Sequence, residues 1–196
     1  MSVVEQLNTA SLRNHPQLRA IFKAAESRHL TDQELEEYLH VVPDHADRAQ
    51  AAKEVREIEE EVVNTVVEDI FAVYPFPKHH RTAPVKAPRD IRYVSAYMTE
   101  AMLMNDPQWL NNKLLIWLKT ILQSFEFPDR EGAAKKVLFA GASGNTGGLE
   151  KLKPGQRSIY ATYHKLKQYY QERLSPASYA LMEPYLQQAI DVLAHD

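Results

Sequence analysis

The chain has 196 residues, 44% of them apolar and 25% charged, with 23 Lys and Arg against 26 Asp and Glu and a net charge of −3. That balance suits a single globular domain with a sizeable core and argues against broad nucleic-acid binding, which needs a strongly basic face. The sequence contains no cysteine, which excludes disulfides, thiolate metal sites, thiol nucleophiles and thioether-linked cofactors.

The first residues, MSVVEQLNTASLRNHPQLRAIF, carry charges throughout and hold no long apolar core, so neither a signal peptide nor an anchor is expected. No later stretch approaches the roughly 20 apolar residues of a membrane helix. The cytosol is the expected location. Leu18, Ile21, Phe22 and Ala25 recur at helical spacing. That helix should end near Ser27, and Thr31 with Glu34 forms a capping box that opens the next.

Residues 46–74 read as one long helix, with Val55, Ile58, Val62, Val66, Ile70 and Val73 on a single face. Glu57, Glu59, Glu60 and Glu61 fall mostly off that face and read as a solvated surface. The following YPFPKHHRTAPVKAP holds four prolines in residues 74–88 and predicts an irregular basic loop. The adjacent His79 and His80 lack further ligands at helical or turn spacing, so the loop reading outweighs a metal site.

Pro88 is expected to open a helix running to about residue 104, with Ile91, Val94, Met98, Ala101 and Met102 inward. Asp106 then caps another helix with Pro107 in its first turn. Leu110, Leu114, Trp117, Leu118, Ile121, Leu122 and Phe125 form its apolar stripe. A tyrosine-rich helix spans about 156–174. The last helix begins at Ser175-Pro176 and should be kinked at Pro184. The class is all-α.

Four of the six glycines fall within residues 141–148, in KKVLFAGASGNTGG. The Gly141, Gly144, Gly147 spacing matches a dinucleotide-binding turn, but that motif needs a following long helix and a second strand. Lys153-Pro154-Gly155 interrupts within two turns, and no βαβ partner exists in the chain. A glycine-rich surface loop is the better reading, and loops of that length are often functional.

Taken in order, these elements resemble the phycobiliprotein family, the subunits of the phycobilisome antenna. Ala24 to Leu35 is similar to the family's link between its first two helices. Lys86-Ala87-Pro88-Arg89-Asp90-Ile91-Arg92-Tyr93 resembles its chromophore motif, a cysteine followed by any residue and Arg-Asp. Trp109-Leu110, Leu118-Lys119-Thr120 and Ser124 to Pro128 are similar to the helix pair after it, closer to the α-type subunit. Tyr179 to Leu193 matches the last helix. The resemblance implies a globin-like fold, preceded by a helical hairpin that in the family packs against a partner subunit. It also implies that the chain is one domain over 1–196, with the glycine-rich segment near 132–155 as an insertion.

The departures from the pattern carry chemistry. Ala87 stands where the family has its bilin-linking cysteine, and alanine cannot form a thioether. Glu131 lies near the position where the family usually places an aromatic residue against the bilin. The family's aspartate accepts hydrogen bonds from pyrrole nitrogens and its arginine pairs with a propionate, which implies cofactor-binding roles for Lys86, Arg89, Asp90 and Tyr93. An ionised Asp90 suits a protonated tetrapyrrole, and Arg89 presents a planar fork for a carboxylate. A bland account competes: an aspartate near a helix start is favoured by the helix dipole, beside a solvated arginine. Haem would need an axial histidine facing the pocket, and His164 sits off the apolar stripe.

The expectation is thus a non-enzymatic, phycobiliprotein-like protein without covalent bilin, associated with the phycobilisome in assembly, regulation or turnover. The alternative is a globin-like sensor or carrier that binds a tetrapyrrole or fatty acid non-covalently; an enzyme acting on a tetrapyrrole ranks third. The expected partners are phycobilisome or antenna proteins, in a homo- or heterodimer, with neither nucleic acid nor membrane insertion. The location is cytoplasmic, with the thylakoid periphery as its antenna-bound form. The tyrosine-rich helix and the segment holding Met98, Met102 and Met104 are candidate interface, with core packing as the competing account.

Overall fold

A computed structural model describes residues 9–74, 81–124 and 152–195. Those residues form helices and connecting turns, with no strand among them. The fold is all-α and globin-like. Two short N-terminal helices, α1 (Thr9–Asn14) and α2 (Pro16–Ala24), precede α3 (Asp32–Val41). The capping box at Thr31 forms as expected. The Thr31 hydroxyl accepts from the Glu34 amide at 3.3 Å, and the Glu34 carboxylate accepts from the Thr31 amide at 2.8 Å. After a short 3₁₀ turn comes the long α4 (Ala46–Val73), whose Val55, Val62, Val66 and Ile70 are buried.

Helix α5 (Ala83–Met104) is the centre of the molecule. Every residue from Val94 to Met104 is buried, because α4 and the C-terminal helix pack against it along with α1 and the segment after it. Met98, Met102 and Met104 are therefore core, not interface, each fully enclosed. Periodicity could not reveal this, since a helix packed on several sides has no solvent face to mark. The polar residues in that run find partners inside. Ser95 Oγ meets the Tyr170 hydroxyl at 2.6 Å, and Thr99 donates to the Ser95 carbonyl at 3.0 Å. Asn105 ends the helix in the left-handed region, at φ 49°, a conformation asparagine tolerates. Two of the last carbonyls of α5, those of Met102 and Leu103, accept from Arg48 and Tyr38.

The start of α5 corrects one expectation. Pro84, not Pro88, takes the opening turn, and Pro88 lies inside the helix. Thr82 accepts the first intrahelical bonds, from the Val85 and Lys86 amides. Pro88 then forfeits a single bond one turn later. The expected loop over 74–88 therefore gives way to helix from Ala83; its centre at 75–80, with His79 and His80, lies outside the described residues.

Asp106 caps α6 (Pro107–Leu110) by accepting from the Gln108 amide at 3.0 Å. A π turn over Asn111–Leu115 comes next, then α7 (Ile116–Gln123). The wider turn inserts an extra residue into the helical repeat and rotates α7 by about a quarter turn or more. Leu115 enters the core in consequence, and Trp117 and Ile121, expected inside, are exposed at 59% and 36%. Phe125 lies outside the described residues.

Helices α8 (Pro154–Arg173) and α9 (Pro176–Ala194) form an antiparallel pair across α4 and α5. Ser175 caps α9 by accepting from the Ser178 amide, and the helix continues through Pro184. Tyr163 and Tyr170 are buried in the core, while Tyr160 and Tyr169 pack against it from its edge. The Tyr169 hydroxyl donates to Asp69 at 2.6 Å and ties α8 to α4. The N-terminal hairpin also folds onto its own chain. Leu12, Leu18 and Phe22 are almost wholly buried, and the Phe22 ring lies 5.9 Å from that of Trp109.

Candidate functional site

Helices α4, α5, α7 and α8 meet around a cleft of about 150 Å³. Val67, Ile70 and Phe71 of α4, Ile91 of α5, Leu122 of α7 and Ile159 of α8 make its apolar walls. The polar groups are few: Thr82 just before α5, Lys86 and Asp90 from α5, with Ser158, Thr162 and Tyr163 from α8. Lys86 and Asp90 stand four residues apart and therefore share one face of α5. Ala87 lies beside them in the same wall, with a methyl where a longer side chain would project.

Of the four residues singled out from the sequence, Lys86 and Asp90 line this cleft, and Arg89 and Tyr93 do not. Arg89 turns to its neighbour instead. Its Nε and Nη2 both donate to Asp90 Oδ1, at 2.8 and 2.6 Å, and its guanidinium lies 5.7 Å over the Tyr93 ring. The fork expected to meet a ligand carboxylate is thus occupied by Asp90. Asp90 itself sits about two turns inside α5, because the helix opens at Ala83. The dipole effect fades within the first turn, so the bland account of the Arg-Asp pair loses its basis.

Tyr163 is the site residue that sequence reasoning missed. It lies on the tyrosine-rich helix, and only the tertiary packing brings α8 to the cleft that Asp90 lines. Burial, reinforced by the Asp90 charge, pushes its phenol well above the usual tyrosine range, so it stays protonated. The cleft therefore offers a buried hydroxyl donor and a carboxylate among mostly apolar walls. Among the described residues no group of histidine and carboxylate side chains could hold a metal ion. His164 stacks beside Tyr160, with ring centroids 5.4 Å apart, and is not part of the cleft wall. Glu131 and most of the glycine-rich segment lie outside the described residues.

The class is then an all-α, globin-like protein with a half-open apolar cleft beside its central helix. A family model for phycobilisome proteins matches residues 21–134, more than half of the chain, and the protein belongs to that family. No curated protein and no solved structure matches the chain significantly. Among the described residues no helix is long and apolar enough to cross a membrane.

Proposed function

We propose that the protein serves the phycobilisome as a non-enzymatic component of its assembly, regulation or turnover, and that it carries no covalently attached bilin. One observation carries this reading. Ala87 lines the cleft at the position that resembles the family's linking cysteine, and the chain has no cysteine elsewhere. A methyl group offers no sulfur for a thioether. The function then rests on contact with phycobilisome or antenna proteins at the thylakoid periphery, in a homo- or heterodimer. Ile116 and Trp117 of α7, both 59% exposed, are suited to such contact, since large apolar and aromatic side chains anchor interfaces.

The test is co-sedimentation. In a gradient of intact phycobilisomes the chain should travel with the antenna, and the released protein should be colourless after denaturing extraction. A chain that stays at the top of the gradient, or that carries a bilin through denaturation, refutes the reading.

A second reading is favoured by the composition of the cleft, apolar walls with Lys86 and Asp90 on one side. It would hold a tetrapyrrole or fatty acid without a covalent bond. Its volume of about 150 Å³ falls below the roughly 300–1,000 Å³ of drug-sized sites, so it takes a short acyl chain or part of a tetrapyrrole. Visible absorbance of protein from a bilin-producing host, lost in Asp90→Ala with helicity intact, is the expected result. A colourless wild type eliminates the tetrapyrrole form.

A further inference from the structure

A second cleft, of about 580 Å³, lies on the N-terminal side of the molecule, between α1, α2 and the α6–π segment. Its charge is unlike that of the chain. Arg13, Arg19, Lys23 and Lys113 line it, against the single carboxylate of Glu26, in a protein whose acids outnumber its bases.

Arg19, Lys23 and Lys113 form no close ion pair among the described residues, though the Lys113 charge acts on the buried Glu100 behind it. Arg19 and Lys23 stand four residues apart on α2, so they face each other across one turn, where like charges destabilise a helix. The helix dipole accounts for Lys23, in the last turn of α2, but not for Arg19, which sits near the opening end where a cation is disfavoured. Lys113 reaches in from the π turn, its ammonium 5.1 Å from the centroid of the Trp109 ring. Arg13 is held in place by Asp106, to which its Nε donates at 2.7 Å.

The frame behind these cations is rigid. Trp109 packs against Phe22, and its indole N–H is tied to the buried Glu100 at 3.0 Å. Cations from three elements are therefore gathered at one cleft, against their mutual repulsion, with Glu26 the single carboxylate among its lining residues.

We propose that this cleft binds a small molecule carrying several phosphate or carboxylate groups. The cleft volume lies inside the range of small-molecule sites. It exceeds what one phosphate fills, and the separation of the cations over three elements calls for more than one anionic group. Arg19 and Lys23 meet one end of the ligand and Lys113 the other, with Arg13 adding to the positive field. An acidic polypeptide is the competing occupant, but it would need an extended groove rather than a cleft of these dimensions. The site is distinct from the Asp90 cleft and does not depend on the function proposed for it.

The experiment uses the full chain with tripolyphosphate, citrate and a ten-residue oligoglutamate, titrated at low salt by calorimetry. Trp109 emission in a Trp117→Phe background provides a second readout. Saturable one-to-one binding of tripolyphosphate or citrate is expected, weakening as salt is raised. The double variant R19E/K23E should bind at least about tenfold more weakly, the equivalent of one lost ionic contact, with an unchanged helical signal. Lys53→Glu, remote from the cleft, should leave affinity unchanged. The proposal is overturned if neither small anion binds, if R19E/K23E binds as well as wild type, or if only the oligoglutamate binds. Should R19E/K23E misfold, the milder K113Q must show the same loss.

Discussion

Trp109 donates its indole N–H to Glu100 Oε2 at 3.0 Å, and Glu100 is only 3% exposed. The other carboxylate oxygen is buried with no hydrogen-bond partner among the described residues. Burial dominates and pushes this carboxyl up to about 7, against the opposing pull of Trp109 and Lys113. The folded protein thus holds a proton between about pH 4.5 and 7 that the unfolded chain has released. The contribution is fully present below about 4.5 and is lost as pH rises to about 7, a swing of roughly 3 kcal/mol. Urea unfolding at pH 5 and pH 8 should show wild type losing that much stability relative to Glu100→Gln. Parallel pH profiles for the two proteins would contradict it.

The α3 start makes the opposite prediction. Arg28 grips Glu34 with two bonds of 2.7 Å and, with Thr31, holds its carboxyl down at about 2. Its stabilising effect is present above the unfolded value of 4.5 and disappears as pH falls through about 2. Arg28 is nearly half exposed, so solvent limits the ion pair to under about 1 kcal/mol. Thr31→Ala removes the cap itself and should cost about 1 kcal/mol at neutral pH, read from the denaturation midpoint.

The Ser95–Tyr170 bond lies wholly inside the core, both residues having no exposed surface. Tyr170→Phe strands the Ser95 hydroxyl and should cost about 1–3 kcal/mol. Adding Ser95→Ala should recover part of that loss, because the stranded group is then gone. A double-mutant cycle showing strict additivity would mean that the two hydroxyls do not depend on each other.

The π turn separates two neighbouring apolar residues by function. Leu115→Ala should cost about 2–5 kcal/mol, as for other buried leucines. Trp117→Ser should change stability by no more than about 0.5 kcal/mol, yet weaken co-sedimentation with the phycobilisome. Unfolding and gradient measurements on the same pair of variants separate the two effects. A strongly destabilised Trp117→Ser would place that indole in the core.

Local chemistry was legible in the chain wherever it acts within a few residues. The Thr31 capping box, the Asp106 and Ser175 caps with their following prolines, and the buried face of α4 all arise from side chains that meet their own backbone or their own helix neighbours. The short motifs that point to the family are equally local, and they placed Lys86 and Asp90 together before any packing was known. Tertiary structure decided the rest. It enclosed the three methionines of α5 by surrounding that helix on several sides, and turned Trp117 outward through one wide turn. It also brought Tyr163 to Asp90, and Arg19 and Lys23 to Lys113, across distances along the chain that no periodicity encodes. The physical reason is common to all: which face of a helix is inside depends on what packs against it, and a cleft exists only between elements, never within one.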